Sequence, residues 1–434
     1  MDNVIEVYKQ RREQLMSKIE NGTVILGSAK PCRHKFRQDS DFYYLTGFKE
    51  PESILVLAPN HPEHKTVLFV RPKDRGQEIW TGKRVGVEGA KEIYGVDATY
   101  SIADLDSTLP KYCENVNNLY YTIGSNDSLD GKVLDLLKRY RGKRYESHYG
   151  PVSIVDPNEI IRDMRSIKDA HEIELIKKAS IISVEGHIAA MKSVKPGIYE
   201  YQLQATVEYA FLMNGATEPA YSSIVATGAN AICLHYDTNN CVVKDGDLVL
   251  IDAGAEYERY AADITRTFPA NGRFSDVQKE IYDIVLEAQM AAIDVIKVGA
   301  KFDDYYNKVI HVIVDGLMSI GLLKGEKDKI MEEKTYNKFY MHNAGHWLGL
   351  DVHDVGSRKI DNDERTFVPG MIVTIEPGIY IAEDLEDVDE QYKGMGIRIE
   401  DDVLITEEGN EVLTSAVPKT IEDIKALMAV LHQL

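Results

Sequence analysis

Cysteine is scarce in this chain. Four thiols, Cys32, Cys113, Cys233 and Cys241, are spread through 434 residues. They are too few and too scattered for a disulfide framework, which points to a reducing, cytoplasmic setting. Long apolar runs are missing too. No stretch reaches the roughly 18 residues that a membrane-spanning helix needs, so no membrane partner is expected. Met1 to Glu20 carries mixed charge and lacks the apolar segment of a secretion signal. Positive charge is in deficit: 50 Lys and Arg stand against 70 Asp and Glu, a net charge of −20. That balance repels phosphate and sets nucleic acid aside as the main partner. What is present is an ordinary globular composition, 44% hydrophobic and 28% charged, in a chain long enough for two or three domains.

Two parts can be read. Residues 1–160 contain short apolar runs such as Ser53–Ala58 and Thr66–Val70, strands between turn residues. This part closes in an extended stretch, Gly150–Pro157. Residues 161–434 open with Ser166 three residues before Asp169, which reads as a capping box ahead of a periodic segment through Ile173, Ile176 and Ala179. That helix should stop near Lys195-Pro196-Gly197. An internal repeat follows. Ala189-Ala190-Met191, Val194-Lys195 and Gly197 return as Ala291-Ala292-Ile293, Ile296-Lys297 and Gly299. Gly246 to Gly254 parallels Gly370 to Gly378, each reading Gly-x-apolar-Val-x-Ile-acid-x-Gly. Chance similarity between two buried strands is one reading. A duplicated helix-helix-strand unit about a pseudo-two-fold axis is the other.

The acids of that repeat are the anomaly. Asp252 ends the apolar run 248–251, and Glu376 ends 372–375. A buried carboxylate needs a compensating cation, either Arg, Lys or a metal. Asp263 lies eleven residues beyond Asp252. A hairpin centred between Tyr257 and Glu258 would set the two directly opposite, about 4.5–5.5 Å apart between Cβ atoms. Like charges that close repel unless a cation lies between them. In the alternating segment Gly396–Thr406, Arg398 and Glu400 share a face. The segment from Met341 to Gly356 holds His342, His346 and His353 among glycines. His342 and His346 are four apart, but Asn343 stands where a zincin needs Glu. Cys233 lies two residues from His235, which offers a Cys-His nucleophile pair or a zinc site as alternatives, though the carboxylates already account for the chemistry. The acidic run Glu383–Glu390 reads as a solvated loop, with calcium binding as the other option.

Five motifs resemble those of the pita-bread metallopeptidases: Ile-Asp-Ala-Gly, Ala-Asp-Ile-Thr-Arg-Thr, Gly-His-Trp-Leu-Gly, Ile-Glu-Pro-Gly and Arg-Ile-Glu-Asp. Within that family the sequence from His346 to Gly356 resembles aminopeptidase P more than prolidase. The segment Arg37–Gly47 resembles the start of the N-terminal domain shared by both. Methionine aminopeptidases share the metal set but lack such a domain. The resemblance implies an α/β (α+β) protein, with an N-terminal mixed α/β domain and a C-terminal pita-bread catalytic domain of pseudo-two-fold symmetry. It implies two divalent metal ions, Mn²⁺ first and Co²⁺ or Zn²⁺ as substitutes, on Asp252, Asp263, His346, Glu376 and Glu400. It also implies hydrolysis of the N-terminal Xaa-Pro bond of peptides by a hydroxide held between the ions. Glu376 would shuttle the proton, while His353 and His235 stabilise the transition state. Arg398 and Tyr380 would orient Glu376. His342 and Tyr221 would line the proline pocket. Trp80 would reach in from a neighbouring subunit of a homo-oligomer, dimer or tetramer. Two rivals remain: a prolidase, restricted to Xaa-Pro dipeptides, and a non-catalytic pita-bread scaffold, which would be expected to have lost metal ligands.

Overall fold

The computed structural model describes residues 2–31, 35–141, 149–360 and 362–429; Cys32 lies outside them. Two compact units separate, Met1–Arg165 and Ser166–Leu434. In the first, six short strands form one mixed sheet: β1 (Gly22–Gly27), β2 (Ile54–Leu57), β3 (Thr66–Val70), β4 (Ala98–Ser101), β5 (Asn118–Tyr120) and β6 (Ser153–Val155). Their order is β4-β3-β2-β1-β5-β6. The two runs read as strands from the sequence are β2 and β3, every residue of them buried. Both faces of such strands are covered, so they read as continuous apolar runs rather than alternating ones. Asp39 caps the helix Ser40–Thr46, accepting from Phe42 N at 2.8 Å, and Gly47 ends it at φ 66°. Only a residue without Cβ adopts that conformation freely.

The second unit repeats itself, as the sequence suggests. Helices Ala170–Ser193 and Glu200–Met213 pack together, and so do Asp276–Val295 and Phe302–Ser319. Each pair is joined through a glycine in the left-handed region, Gly197 at φ 95° and Gly299 at φ 86°. The backbone contacts repeat as well. Gly197 N donates to Val243 O and Gly299 N to Phe367 O, while the bridge Tyr199–Val242 is matched by Lys301–Thr366. Two three-stranded sheets follow. One orders Thr265–Pro269, Leu248–Asp252 and Ile224–Thr227; the other orders Ile372–Ile375, Asp401–Thr406 and Gly409–Val412. A bridge between Thr265 and Glu400 links them. One apolar core runs beneath, from Ile182 through Val249 and Ile313 to Val373 and Ile405.

One boundary is corrected. Ser166 is the last residue of helix Asn158–Ser166 and is no capping box partner of Asp169. Asp169 itself is the cap. Its carboxylate accepts from Glu172 N at 3.0 Å, and Glu172 accepts from Asp169 N at 3.1 Å. Asp is as good a cap as Ser, and Glu172 completes the box from three residues on. The helix ends at Ser193, just before Lys195-Pro196-Gly197.

Candidate metal centre

The expected register of Asp252 and Asp263 is off by two residues. Asp252 pairs with Thr265, and Tyr257 with Tyr260. The turn is therefore centred on Glu258-Arg259, both at positive φ, 46° and 80°. A two-residue hairpin turn of that hand matches the strand twist. A shift of two keeps the same face, so both carboxylates still point to one place. Tyr221 holds them there: its hydroxyl meets Asp252 Oδ1 at 2.6 Å and also meets Asp263 Oδ1. Burial and the two carboxylates keep that phenol protonated. Gly254 lets the paired strands close, since a Cβ there would stand 1.7 Å from the Ala262 carbonyl oxygen.

Gly396–Thr406 is two strands rather than one, Met395–Arg398 and Asp401–Thr406, and they join different sheets. Glu400 sits at the step between them. Its Oε2 accepts from Thr265 Oγ1 at 2.7 Å, and its N–H donates to Thr265 O. Arg398 is buried and donates to Asp252 Oδ2 at 2.6 Å and to Tyr380 Oη at 3.0 Å.

Asp263, His346 and Glu400 bring ligand atoms within 4.8 Å of one another. His346 Nε2 stands 3.4 Å from Asp263 Oδ2 and 3.8 Å from Glu376 Oε1. Its Nδ1 lies 2.9 Å from the Trp347 carbonyl, which can only accept, so Nδ1 carries the hydrogen and Nε2 is the atom offered to the site. His342 is fixed the same way. Nδ1–H donates to Asn343 O at 2.7 Å, leaving Nε2 to accept from Tyr380 Oη–H at 2.9 Å. Burial and Arg398 lower its pKa to about 4, so the ring is neutral.

The carboxylates behave as a set that needs a cation. Burial raises Asp252 and Glu400, and Asp263 adds to both; Arg398 opposes without prevailing. Burial raises Glu376 to about 7 against the pull of His346 and Arg398. His346 goes the other way. Burial would lower it, but Asp263 and Glu376 raise it to about 9. Four acids and one histidine at these distances are a hard, oxygen-rich donor set of the kind that holds divalent cations.

The cavity above them measures about 340 Å³ and is lined by His235, His342, His353, Arg358 and the acids, among others. Tyr380 and Tyr221 stand behind its wall. His353 and His346 pack edge to face, ring centroids 4.3 Å apart. Trp80 is not part of this unit; it lies on helix Arg75–Thr81, 85% exposed.

Comparison with known proteins assigns the family. Residues 174–407 match the profile of metallopeptidase family M24, and residues 8–120 match the aminopeptidase P N-terminal domain. The chain belongs to metallopeptidase family M24. It is 44% identical to a Xaa-Pro aminopeptidase of Haemophilus influenzae, over 98% of this chain and 97% of that one. Its fold matches the aminopeptidase PepP of Pseudomonas aeruginosa at a TM-score of 0.96 and 45% identity, covering 99% of each chain. A variant of Escherichia coli aminopeptidase P in complex with substrate aligns at a TM-score of 0.94 and 39% identity, again over 99% of each. The fold is thus the N-terminal aminopeptidase P domain followed by the pita-bread domain.

Several groups that build this M24 site are silent in the sequence. His187, on the first helix of the repeat, is fully buried and bonds the Ala253 carbonyl at 2.9 Å, beside Asp252. Lys168 and Asp354 form a buried ion pair at 3.1 Å under the loop that carries His353. Arg266 donates to Glu400 O at 2.6 Å and to Asp401 Oδ1 at 2.7 Å. Asp401 also accepts from Gln289 at 2.7 Å, Lys419 at 2.8 Å and Thr414 at 2.6 Å. Burial would raise the Asp401 carboxyl, but Arg266 and Lys419 overrule it and hold it well below the usual range. The Asp401 contribution to stability is therefore complete above about pH 4 and lost only as pH falls towards the depressed value. Asp401→Asn leaves Arg266 buried without its counter-charge and is expected to cost about 3–5 kcal/mol, read from urea unfolding near neutral pH. A cost under about 1 kcal/mol would mean that the network rearranges around the amide.

Proposed function

We propose that the chain hydrolyses the bond between the first residue of a peptide and a proline that follows it. The assigned ligands are Asp252, Asp263, His346, Glu376 and Glu400, holding two divalent cations whose +4 balances the −4 of the acids. Mn²⁺ is our first choice for that oxygen-rich set. When bound, such ions polarise a carbonyl and lower the pKa of water. The observation that carries the reading is the His346 geometry: one nitrogen is locked to backbone, and the other faces Asp263 and Glu376. The relative in Haemophilus influenzae, named a Xaa-Pro aminopeptidase, supports the substrate class.

The residues divide the work. Glu376 takes the proton from the attacking water and delivers it to the proline nitrogen. Arg398 and Tyr380 set its field from behind, joined to each other at 3.0 Å. His353 and His235 line the cavity with no hydrogen-bond partner among the described residues, free to donate to the carbonyl oxygen as its charge grows. His342, neutral and pinned by Tyr380, forms the wall for the proline ring. Tyr221 is assigned a different place from the pocket lining that the family resemblance implies: it bridges Asp252 and Asp263. We assign the catalytic domain to residues 161–434 and the aminopeptidase P-type domain to residues 1–160, a few residues before the division between the two compact units at Arg165 and Ser166.

Trp80 and Ile79 are both largely exposed on a helix with no buried residue. We assign them to a contact with a second subunit, in a dimer or tetramer, where Trp80 reaches the neighbouring site. Light scattering that finds a fully active monomer removes this role. Exposed thiols at Cys233 and Cys241 fit a reducing cytoplasm. No described helix is long and apolar enough to cross a membrane.

The deciding assay pairs a Xaa-Pro-Xaa tripeptide with the Xaa-Pro dipeptide, alongside metal analysis of the purified protein. Release of the first residue from the tripeptide is expected, with up to two ions per chain. Cleavage of the dipeptide alone would make the protein a prolidase.

A further inference from the structure

The His235 ring reaches the cavity with no hydrogen bond of its own among the described residues, so its place is set by the backbone that carries it. That backbone is gathered on one buried side chain, Glu200. Glu200 opens the helix Glu200–Met213, is fully buried, and pairs with no Lys or Arg among the described residues. A carboxylate without a cation is costly to bury unless hydrogen bonds replace the water it loses. Here they do. Oε1 accepts from Thr227 N at 2.8 Å and from Asn230 Nδ2 at 2.9 Å. Oε2 accepts from Tyr236 Oη and from Cys241 N, both at 2.8 Å. A carboxylate has about four lone-pair sites, and each has a donor. All the donors come from one stretch of chain, 227–241, and His235 lies inside it. Thr227 ends the strand Ile224–Thr227, and Asn230 sits in the short turn Gly228–Ile232 that follows. Leu234 and His235 then line the cavity, while Tyr236 turns its hydroxyl back to Glu200. Burial and that bond raise the Tyr236 phenol, so it keeps its hydrogen. The far end of the stretch is clamped to the same helix start: Glu200 N donates to Cys241 O at 3.0 Å, and Val243 N to Ile198 O at 2.8 Å.

We propose that Glu200 is the positioning residue of His235: its carboxylate folds residues 227–241 into a fixed arm that presents the imidazole to the carbonyl under attack. This inference rests on the peptidase reading above and adds a group that acts only through His235. A donor that meets an oxygen as it gains charge must be set in advance, because reorienting during the step would consume the benefit. The contribution of Glu200 therefore falls on kcat, with KM and metal content nearly unchanged. Glu200→Gln keeps the shape and reverses half of the pattern. Its amide nitrogen donates, and it would face donors where an oxygen accepted, so no more than half of the bonds survive.

The experiment is a double-mutant cycle on the metal-loaded enzyme with a Xaa-Pro-Xaa tripeptide: Glu200→Gln, His235→Ala and the two together. His235→Ala is expected to lose about two to three powers of ten in kcat, the scale of one transition-state donor. Glu200→Gln should lose about tenfold to a hundredfold, the scale of a misplaced group, and keep its metal. In the His235→Ala background the same change should cost less than about twofold, because the ring that it places is gone. Tyr236→Phe removes one bond and keeps the ring packed, so it carries the test should Glu200→Gln fail to fold. It is expected to lose about threefold to tenfold in kcat, the scale of one hydrogen bond, and again almost nothing in the His235→Ala background. Losses that multiply in the double variants overturn the proposal, since Glu200 would then serve the fold or another group. So does an unchanged kcat in folded Glu200→Gln, or in Tyr236→Phe where that variant stands in for it, and so does a fall in metal content that matches the fall in kcat. An unchanged kcat in His235→Ala removes the role that Glu200 serves and overturns it as well. Failure of metal-loaded wild type to cleave the tripeptide at all would instead overturn the peptidase reading, and this inference with it.

Discussion

Asp263→Ala is expected to abolish peptidase activity, by several powers of ten, and to lower the metal content of the purified protein. Asp263 meets three different demands. Oδ2 faces His346 Nε2 at 3.4 Å, Oδ1 accepts from Tyr221, and its backbone N–H donates to the Asp402 carboxylate at 3.1 Å. Alanine keeps the last contact and loses the first two. Two divalent cations would then face three acids, a net positive cluster in a buried site with an open coordination position. The fold should survive. Asp263 raises Asp252, Glu376 and Glu400 through like charge, so its removal relieves repulsion in the metal-free protein. The metal-free variant should therefore unfold no more easily than metal-free wild type, whereas metal should protect wild type far more. Metal analysis, circular dichroism and a turnover assay together check this. A variant that retained two ions and wild-type turnover would remove Asp263 from the ligand set.

What the sequence made legible was local. Asp252 and Glu376 stood out because an acid ended an apolar strand, and the duplicated Gly-x-apolar-Val-x-Ile-acid-x-Gly pattern marked the pseudo-symmetry that the helix pairs display. The hairpin register was not legible. Glu258 and Arg259 adopt left-handed φ values without the Asn-Gly signature that announces such a turn. The backing groups were hidden for a different reason. Arg266 and Asp401 are 135 residues apart, and Lys168 and Asp354 are 186 apart. Periodicity reports only neighbours along the chain, so a buried cross-chain pair leaves no signal.

His353→Ala tests how the histidines divide. His346 and His353 touch, ring centroids 4.3 Å apart, so proximity alone would allow either to be a ligand. Their partners separate them. His346 has its Nδ1–H committed to the Trp347 carbonyl and Nε2 aimed at two acids, the arrangement of a metal-binding imidazole. Burial and His346 lower the pKa of His353, so its ring is neutral near pH 7 and keeps one N–H to donate. The buried pair of Lys168 and Asp354, at 3.1 Å, fixes the loop beneath it. A donor preset beside the carbonyl oxygen strengthens as that oxygen gains charge, which lowers the barrier without tightening the ground state. His353→Ala should therefore keep its metal and its fold, and lose about two to three powers of ten in kcat. His346→Ala should lose metal first and activity as a consequence. If His353→Ala sheds metal to the same extent, His353 is a ligand and the roles assigned to the two rings must be exchanged.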